Sequence, residues 1–146
     1  MQLRKESVYA IQGLAFFAER PLGTVVSLAD VAAAQHLPTS FLAKIFQKLA
    51  RHGLLLAERG RGSGYVLARS PDTITMREIF VAVDGPSALQ RCLLWSGLCG
   101  DANPCPLHYR LGRFRPALNW LLNGITLADC VAGSRVSGKP AGAKQE

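Results

Sequence analysis

Hydrophobic residues recur at intervals of three and four along the first third of the chain, which is the spacing of amphipathic helices. The first predicted helix covers residues 6–19 and ends at the stretch ERPLGT, where proline and glycine interrupt the pattern. Ser27, with Asp30 three positions later, predicts the N-cap of a second, short helix that continues to about Gln35. The chain is therefore expected to begin with two helices joined by a turn.

A third helix is predicted from a cap at Thr39 or Ser40 to about His52, before Gly53. Its apolar side chains fall on one broad face: Phe41, Leu42, Ile45, Phe46 and Leu49. Small and polar side chains occupy the opposite face: Ser40, Ala43, Lys44, Gln47 and Arg51. A solvent-exposed outer face would explain this pattern, and so would a helix-turn-helix motif whose second helix contacts DNA.

Two apolar runs in LLLAERGRGSGYVL, residues 54–67, are separated by a turn rich in glycine and arginine. This pattern predicts a β-hairpin with Arg59 and Arg61 at its tip. A basic hairpin directly after a helix-turn-helix is typical of a winged helix. In that arrangement the helix enters the major groove and the hairpin, or wing, contacts the flanking DNA. The two elements together therefore favour DNA binding.

The second half of the chain predicts three more helices. TITMREIFVAVDG indicates one from Thr75 to about Val83. A longer helix is predicted from about Pro106 to Asn123, although Pro116 should kink it or delay its start. Its apolar residues alternate spacings of four and three: Leu107, Leu111, Phe114, Leu118, Leu121 and Ile125. This a/d pattern favours a dimerisation helix over packing against its own domain. TLADCVAG predicts a short terminal helix.

Composition and charge are compatible with a nucleic-acid partner. The chain of 146 residues is long enough for one hydrophobic core, and it carries a net charge of +7. Most of the excess lies in residues 1–70, which hold nine Lys and Arg against four Asp and Glu. Such a basic surface can neutralise phosphates. No apolar run is long enough to span a membrane and no signal peptide is recognised, so we expect a cytoplasmic protein.

Three of the four cysteines lie in RCLLWSGLCGDANPCPLHYR, residues 91–110. Together with a histidine they form the spacing C-x6-C-x5-C-x2-H, through Cys92, Cys99, Cys105 and His108. A structural zinc site usually begins with a tighter pair of cysteines, whereas an open, glycine-containing loop suits an iron–sulfur cluster. Zinc, redox-active thiols and a loop without ligands are the alternatives. Cys130 lies on an apolar helix face and is expected in the core.

Several of these segments resemble the iron–sulfur winged-helix regulators of bacteria, a family of dimeric transcription factors that includes IscR and NsrR. The matching segments are RGRGSGYVLARSPDTITMREIFVAVDG, the cysteine–histidine set and NGITLADCV, and the resemblance covers about residues 1–133. It implies that Cys92, Cys99, Cys105 and His108 hold a 2Fe–2S cluster, as in the IscR branch.

Two departures from the family pattern concern the cluster. The gap between the first two cysteines is six residues, where the IscR pattern has five. Val8 stands where the NsrR branch has an aspartate that ligates a 4Fe–4S cluster, and a valine side chain cannot ligate iron. A 2Fe–2S cluster is therefore the first expectation, and a 4Fe–4S cluster is the alternative.

The residues predicted to contact DNA lie on the third helix and on the hairpin. The resemblance places Ser40 and Lys44 in the recognition helix and Arg59 and Arg61 in the wing. The predicted set is Thr39, Ser40, Ala43, Lys44, Gln47, Arg59, Arg61 and Ser63. Ala43 replaces an acidic residue of the IscR branch, and the tip sequence GRGSG replaces GPGGG, which makes the wing more basic.

The combined prediction is a mainly α protein with a small β-hairpin wing. A winged helix-turn-helix domain is expected over residues 1–84 and a cluster-binding loop over 85–105. The dimerisation helix and a short terminal helix follow over 106–132, and a disordered tail over 133–146. We do not expect this protein to be an enzyme, because no nucleophile–base set or pair of carboxylates stands out in the sequence.

The predicted function is a cytoplasmic, homodimeric repressor or activator that senses iron–sulfur status or redox stress. It is expected to bind double-stranded DNA at a palindromic operator. Three other functions compete with this one. They are a nitric-oxide- or peroxide-sensing repressor with a 4Fe–4S cluster, a regulator with a structural zinc ion, and a cluster-carrying redox protein without a DNA role.

Overall fold

The computed structural model describes residues 4–102 and 104–136. The helices are α1 Lys5–Ala18, α2 Leu28–Gln35, α3 Thr39–Arg51, α4 Met76–Asp84, α5 His108–Gly124 and α6 Leu127–Val136. The strands are β1 Leu55–Glu58 and β2 Gly64–Leu67, which form one antiparallel sheet. The predicted fold class, mainly α with a small hairpin, is confirmed.

Helix α1 lies at the centre of the core, where it contacts α3, α4 and α6. Its Ala10 and Leu14 are fully buried. Gly13 faces Phe46 of α3, and a Cβ atom at this position would come within 2.8 Å of the phenyl ring. The glycine therefore lets α1 and α3 approach closely, and this contact fixes α3 from its buried side.

The start of α2 agrees with its predicted cap. The Ser27 hydroxyl oxygen accepts the backbone N–H of Asp30 at 3.1 Å. The hydroxyl thus satisfies one of the N–H groups that every helix start leaves without a partner in the helix. Helix α2 ends at Gln35, where His36 takes the left-handed conformation with φ 53°.

The predicted side-chain cap of α3 is wrong. Helix α3 begins at Thr39 itself, and Pro38 is its N-cap. The Pro38 carbonyl accepts the backbone N–H of Leu42 at 3.0 Å. Proline holds φ at −64°, which suits the entry into a helix, so the helix starts before the hydroxyl of Thr39 or Ser40 can cap it.

The predicted wing is present, and it is attached to the domain by a third short segment that the sequence did not predict. Val26 and Tyr65 exchange two backbone hydrogen bonds of 2.9 Å each, so Val26 extends the hairpin beside β2. A Cβ atom on Gly64 would clash with the Val26 carbonyl. The glycine is therefore required where the wing meets the segment before α2.

Helix α4 begins with a complete capping box. The Thr75 hydroxyl accepts the backbone N–H of Glu78 at 3.2 Å, and the Glu78 carboxylate accepts the backbone N–H of Thr75 at 2.8 Å. Burial opposes ionisation of Glu78, but the hydrogen bonds from Thr75 and from Arg69, at 2.7 Å, outweigh it and lower the pKa of this carboxyl. The box holds the start of α4 in one geometry.

Two backbone hydrogen bonds join the start of α4 to the end of α5. Met76 donates its N–H to the Ile125 carbonyl at 2.9 Å, and Leu127 donates to the Ile74 carbonyl at 2.8 Å. Helix α6 then begins at Leu127, where its own cap is formed by Thr126 and Asp129. The turn between α5 and α6 is therefore anchored to α4.

Helix α5 is continuous from His108 to Gly124 and runs through Pro116. Part of its a/d pattern packs against its own domain, since Leu118 and Ile125 are partly buried against the core. Large apolar side chains nevertheless remain exposed along it: Tyr109, Phe114, Trp120 and Leu121. The helix therefore presents an apolar surface that the single chain does not cover.

The terminal helix is longer than predicted. Helix α6 extends to Val136, so residues 133–136 are helical and the predicted disordered tail does not begin at residue 133. The rest of that predicted tail, residues 137–146, lies outside the described residues.

Replacing Thr75 with alanine is expected to lower the free energy of unfolding by about 1 kcal/mol, because the hydroxyl that caps α4 is removed. Urea unfolding followed by circular dichroism measures this difference. Thr39→Ala is the matched control, since this exposed threonine makes no capping hydrogen bond at the start of α3. An equal loss of stability in both variants would show that the cap of α4 adds nothing.

Candidate functional site

The three clustered cysteines converge on one point of the structure. The Sγ atoms of Cys92, Cys99 and Cys105 all lie within 4.8 Å of one another, and none of the three forms a disulfide. Cys92 and Cys105 are buried, whereas Cys99 is half-buried. A group of thiols this close, held in a loop, is the donor arrangement of a soft metal ion or an iron–sulfur cluster.

A tight turn brings Cys92 and Cys99 together. Cys92 donates its backbone N–H to the Gly97 carbonyl at 3.0 Å, and Cys99 donates to the Gln90 carbonyl at 2.9 Å. Gly97 has φ 103°, a conformation that other residues rarely adopt. The loop therefore positions these two cysteines through its backbone.

His108, the fourth predicted ligand, is the first residue of α5 and lies beside Cys99, outside the group of three mutually close thiols. Its Nδ1 atom lies 3.0 Å from the Sγ atom of Cys99. Its Nε2 atom lies 2.9 Å from a carboxylate oxygen of Asp101. A histidine that binds a metal through one nitrogen commonly donates the other N–H to a carboxylate, which fixes the ring. Sequence reasoning missed Asp101, whose only signal was a carboxylate two positions after Cys99.

The hydrogen bonds of the loop favour the thiolate form at Cys92. The backbone N–H groups of Trp95, at 3.4 Å, and Leu94 donate to its sulfur and lower the pKa of Cys92 to about 7. Burial raises the pKa of the Cys105 thiol, and its neighbour Cys92 adds to this effect. One thiolate is therefore prepared by the loop itself, because thiolates and not thiols bind metals.

Cys99 and His108 influence each other. The hydrogen bond with His108 lowers the pKa of the Cys99 thiol, and Arg115 contributes in the same direction. The same contact with Cys99, followed by that with Asp101, raises the pKa of the His108 imidazole. Arg115 also donates a hydrogen bond of 3.5 Å to the Cys99 carbonyl, so α5 holds this part of the loop at two points.

Cys130 does not belong to this group, as the sequence predicted. It lies on α6 and is partly buried against the core, where its Sγ atom donates a hydrogen bond of 3.1 Å to the sulfur of Met76 on α4. Burial raises the pKa of this thiol.

The residues predicted to contact DNA lie on two neighbouring elements. On α3, exposed side chains are those of Thr39, Ser40, Lys44 and Gln47, and Ala43 is half-buried. Arg59, Arg61 and Ser63 are exposed in the turn of the wing. An open cleft of about 420 Å³ separates the two elements, and its lining includes Gln47, Arg51 and Tyr65. Arg51 and Tyr65 were absent from the predicted set.

Within the described part of the chain, no helix has both the length and the apolar character that a membrane span requires.

The winged helix and the cysteine loop together agree with one family. Residues 3–133 match the model of the Rrf2 family, which is described as an iron-dependent transcriptional regulator. The chain belongs to the Rrf2 family. The predicted resemblance to IscR-type regulators is therefore confirmed.

Relatives within the Rrf2 family support the same assignment. The chain is 35% identical over 136 residues to a protein of Azotobacter vinelandii named "Putative HTH-type transcriptional regulator ORF2", with 93% of this chain and 82% of the relative covered. It is 30% identical over 136 residues to IscR of Escherichia coli, with 93% and 83% covered. These relatives are transcriptional regulators and not enzymes, which confirms the predicted class of function.

Solved structures share the fold at lower identity. CymR, the global cysteine regulator of B. subtilis, superposes with a TM-score of 0.73 at 24% identity, covering 91% of this chain and 98% of CymR. T. potens IscR superposes with a TM-score of 0.70 at 22% identity, covering 97% of this chain and 94% of that protein. The winged-helix architecture is thus that of known Rrf2-type regulators.

Proposed function

We propose that this Rrf2 regulator acts in the cytoplasm as a homodimer whose affinity for a palindromic DNA operator depends on a 2Fe–2S cluster. Cys92, Cys99, Cys105 and His108 are the proposed ligands. The observation that carries this proposal is the convergence of three thiols within 4.8 Å, with the His108 Nδ1 atom 3.0 Å from Cys99 Sγ.

The donor set fits such a cluster. Three sulfur donors and one imidazole nitrogen supply the four ligands of a 2Fe–2S centre. The N–H groups around Cys92 stabilise negative charge on its sulfur, as hydrogen bonds to cluster ligands generally do. When bound, the cluster supplies a redox-sensitive and iron-dependent group. Four donors also suit zinc, so an iron and sulfide determination distinguishes the two.

The 4Fe–4S alternative has less support. Val8, at the position where the NsrR branch has a ligating aspartate, is an exposed side chain on α1 without a ligand atom. His108, by contrast, lies beside Cys99.

DNA binding is assigned to α3 and the wing. Helix α3 presents its small and polar side chains to solvent, and the wing packs against it, with the ring centroids of Phe46 and Tyr65 5.2 Å apart. We infer that α3 enters the major groove, where Ser40, Lys44 and Gln47 face base edges. Arg59 and Arg61 lie at the exposed tip, so they contact phosphates or the adjacent groove.

The dimer is assigned to α5. Phe114 is 68% exposed and Leu121 is 46% exposed, and a separation of seven residues puts both on one face of the helix. A second copy of the same helix would remove these side chains from water. His108, as the first residue of α5, then ties the state of the cysteine loop to the dimer helix and hence to the spacing of the two recognition helices.

Arg59→Ala and Arg61→Ala are each expected to weaken binding to all DNA sequences. Each should also make the slope of log affinity against log salt concentration shallower by about one. Fluorescence anisotropy at several salt concentrations measures both effects. Arg77→Ala, which removes an exposed arginine of α4, is the matched control and should leave the slope unchanged. An unchanged slope in both wing variants would show that the wing does not contact DNA phosphates.

Serine at Cys92, Cys99 or Cys105 is expected to abolish cluster binding, because a hard alkoxide poorly replaces a thiolate. The anaerobic visible spectrum and the iron and sulfide content per chain measure the loss. Cys130→Ser is the control and should keep a full cluster. If Cys130→Ser loses the cluster while Cys92→Ser keeps it, the proposed ligand set is wrong.

Loss of the cluster is expected to change operator affinity by about 1–3 kcal/mol, the usual scale of coupling between two sites. His108→Cys should hold its cluster more firmly, since an imidazole can be protonated and released, and should respond less to oxidants. Holo, apo and His108→Cys proteins are compared on one DNA fragment at one salt concentration. Equal affinities in all three would show that the metal site does not regulate DNA binding.

A further inference from the structure

The C-terminal end of α4 lies between the cysteine loop and the recognition helix. The last four carbonyls of a helix have no partner within it and need other donors. The Val83 carbonyl accepts a hydrogen bond from Lys48 Nζ at 3.1 Å, and the Asp84 carbonyl accepts one from Arg91 Nη2 at 3.4 Å. Two cations from different elements thus bind consecutive carbonyls at the negative end of the α4 dipole.

Lys48 belongs to α3 but does not face the proposed DNA surface. Its Nζ atom also lies 3.0 Å from the Glu6 carboxylate of α1, so the lysine joins α3 to both α1 and α4. Lys44, one turn earlier on α3, is an exposed member of the proposed DNA-contacting set. A shift at the end of α4 would therefore act on α3 within one turn of that surface.

Arg91 connects the same end of α4 to the proposed ligands. It immediately precedes Cys92, and it forms a β-bridge with Leu98, which immediately precedes Cys99. A rearrangement of the loop around these two cysteines therefore moves Arg91, and Arg91 is the residue that donates to the Asp84 carbonyl.

The side chain of Asp84 shows that this junction is incompletely satisfied. Its Oδ2 atom accepts a hydrogen bond of 2.5 Å from the buried Ser7 hydroxyl of α1. Its Oδ1 atom is buried and accepts no hydrogen bond from any described residue. Leaving a buried carboxylate oxygen without a hydrogen-bond donor costs free energy. A rearranged loop that placed a donor beside this oxygen would therefore stabilise a different position of the end of α4.

We propose that Lys48 and Arg91 are positioning residues that couple the cysteine loop to α3 through the last two carbonyls of α4. This inference rests on the proposed function, because it needs a cluster that changes DNA affinity. It adds a route within each protomer, from loop to α4 to α3, to the route through the dimer helix.

The test compares operator affinity of the holo and apo forms of the full-length protein, measured for wild type, Lys48→Met and Arg91→Gln on one DNA fragment. The wild-type ratio is expected to lie on the usual scale of coupling, about 5- to 150-fold. Each variant should bring this ratio closer to one, by the share of the coupling that passes through α4, while it keeps the wild-type visible spectrum and iron and sulfide content. Lys48→Arg, which can still donate to the Val83 carbonyl, should restore it.

Lys44→Met and Arg77→Gln are the matched controls. Lys44→Met removes a lysine from the outer face of α3 and should weaken holo and apo binding by the same factor, so the ratio stays at the wild-type value. Arg77→Gln removes an exposed arginine from α4 and should change neither affinity.

The outcomes separate this inference from the proposed function. If Lys48→Met and Arg91→Gln both keep the wild-type ratio of holo to apo affinity, the inference is overturned and the proposed function stands. If the wild-type protein itself binds DNA equally in its holo and apo forms, both are overturned. A Lys48 variant that loses the cluster also counts against the inference, because the lysine would then support the ligands and not α3.

A measurement on wild-type protein needs no variant. Hydrogen exchange of holo and apo protein should show changed protection at residues 83–85 and in α3. Unchanged protection at both places, beside a changed DNA affinity, would overturn the α4 route.

Discussion

The position of the candidate metal centre depends on the backbone junction between residues 74–76 and 125–127. Two hydrogen bonds of 2.8 and 2.9 Å join the start of α4 to the end of α5, so the two helices are fixed to each other. The cysteine loop leaves the end of α4 at Asp84 and returns at His108, the start of α5. The junction lies at the far end of each helix from the loop, and the two helices carry its geometry to the two ends of the loop.

Between these ends the loop has little core of its own. Ala88 and Leu89 are buried, but the large apolar side chains around the first two cysteines are exposed: Leu93, Leu94, Trp95 and Leu98. Few buried contacts offset the conformational entropy of ordering such a segment. Ligand binding can supply the missing free energy, because binding to an ordered state stabilises that state. The occupancy of the site and the order of the loop are then linked.

The sequence was informative where local patterns determine structure and uninformative where distant segments meet. The two faces of α3 and the hairpin follow from residue spacing, and the spacing of the cysteines pointed to the three thiols that the structure brings together. Val26 pairs with Tyr65, which is far from it in sequence, so no local sequence pattern could predict this pairing. Lys48 lies at the border of the apolar face of α3, and only its contacts with Glu6 and Val83 show that it points inward.

Charge on α5 limits how two copies of this helix can meet. The helix carries three arginines and no acidic residue, so close approach of two copies brings like charges together. Arg115 donates to the Cys99 carbonyl, which directs its charge toward the loop. Arg110 and Arg113 are exposed and must lie at the rim of any such contact, where water screens them. The centre of the proposed interface is then left to Phe114 and Leu121, so the surface proposed to join two protomers and the arginine that contacts the cysteine loop lie on the same helix.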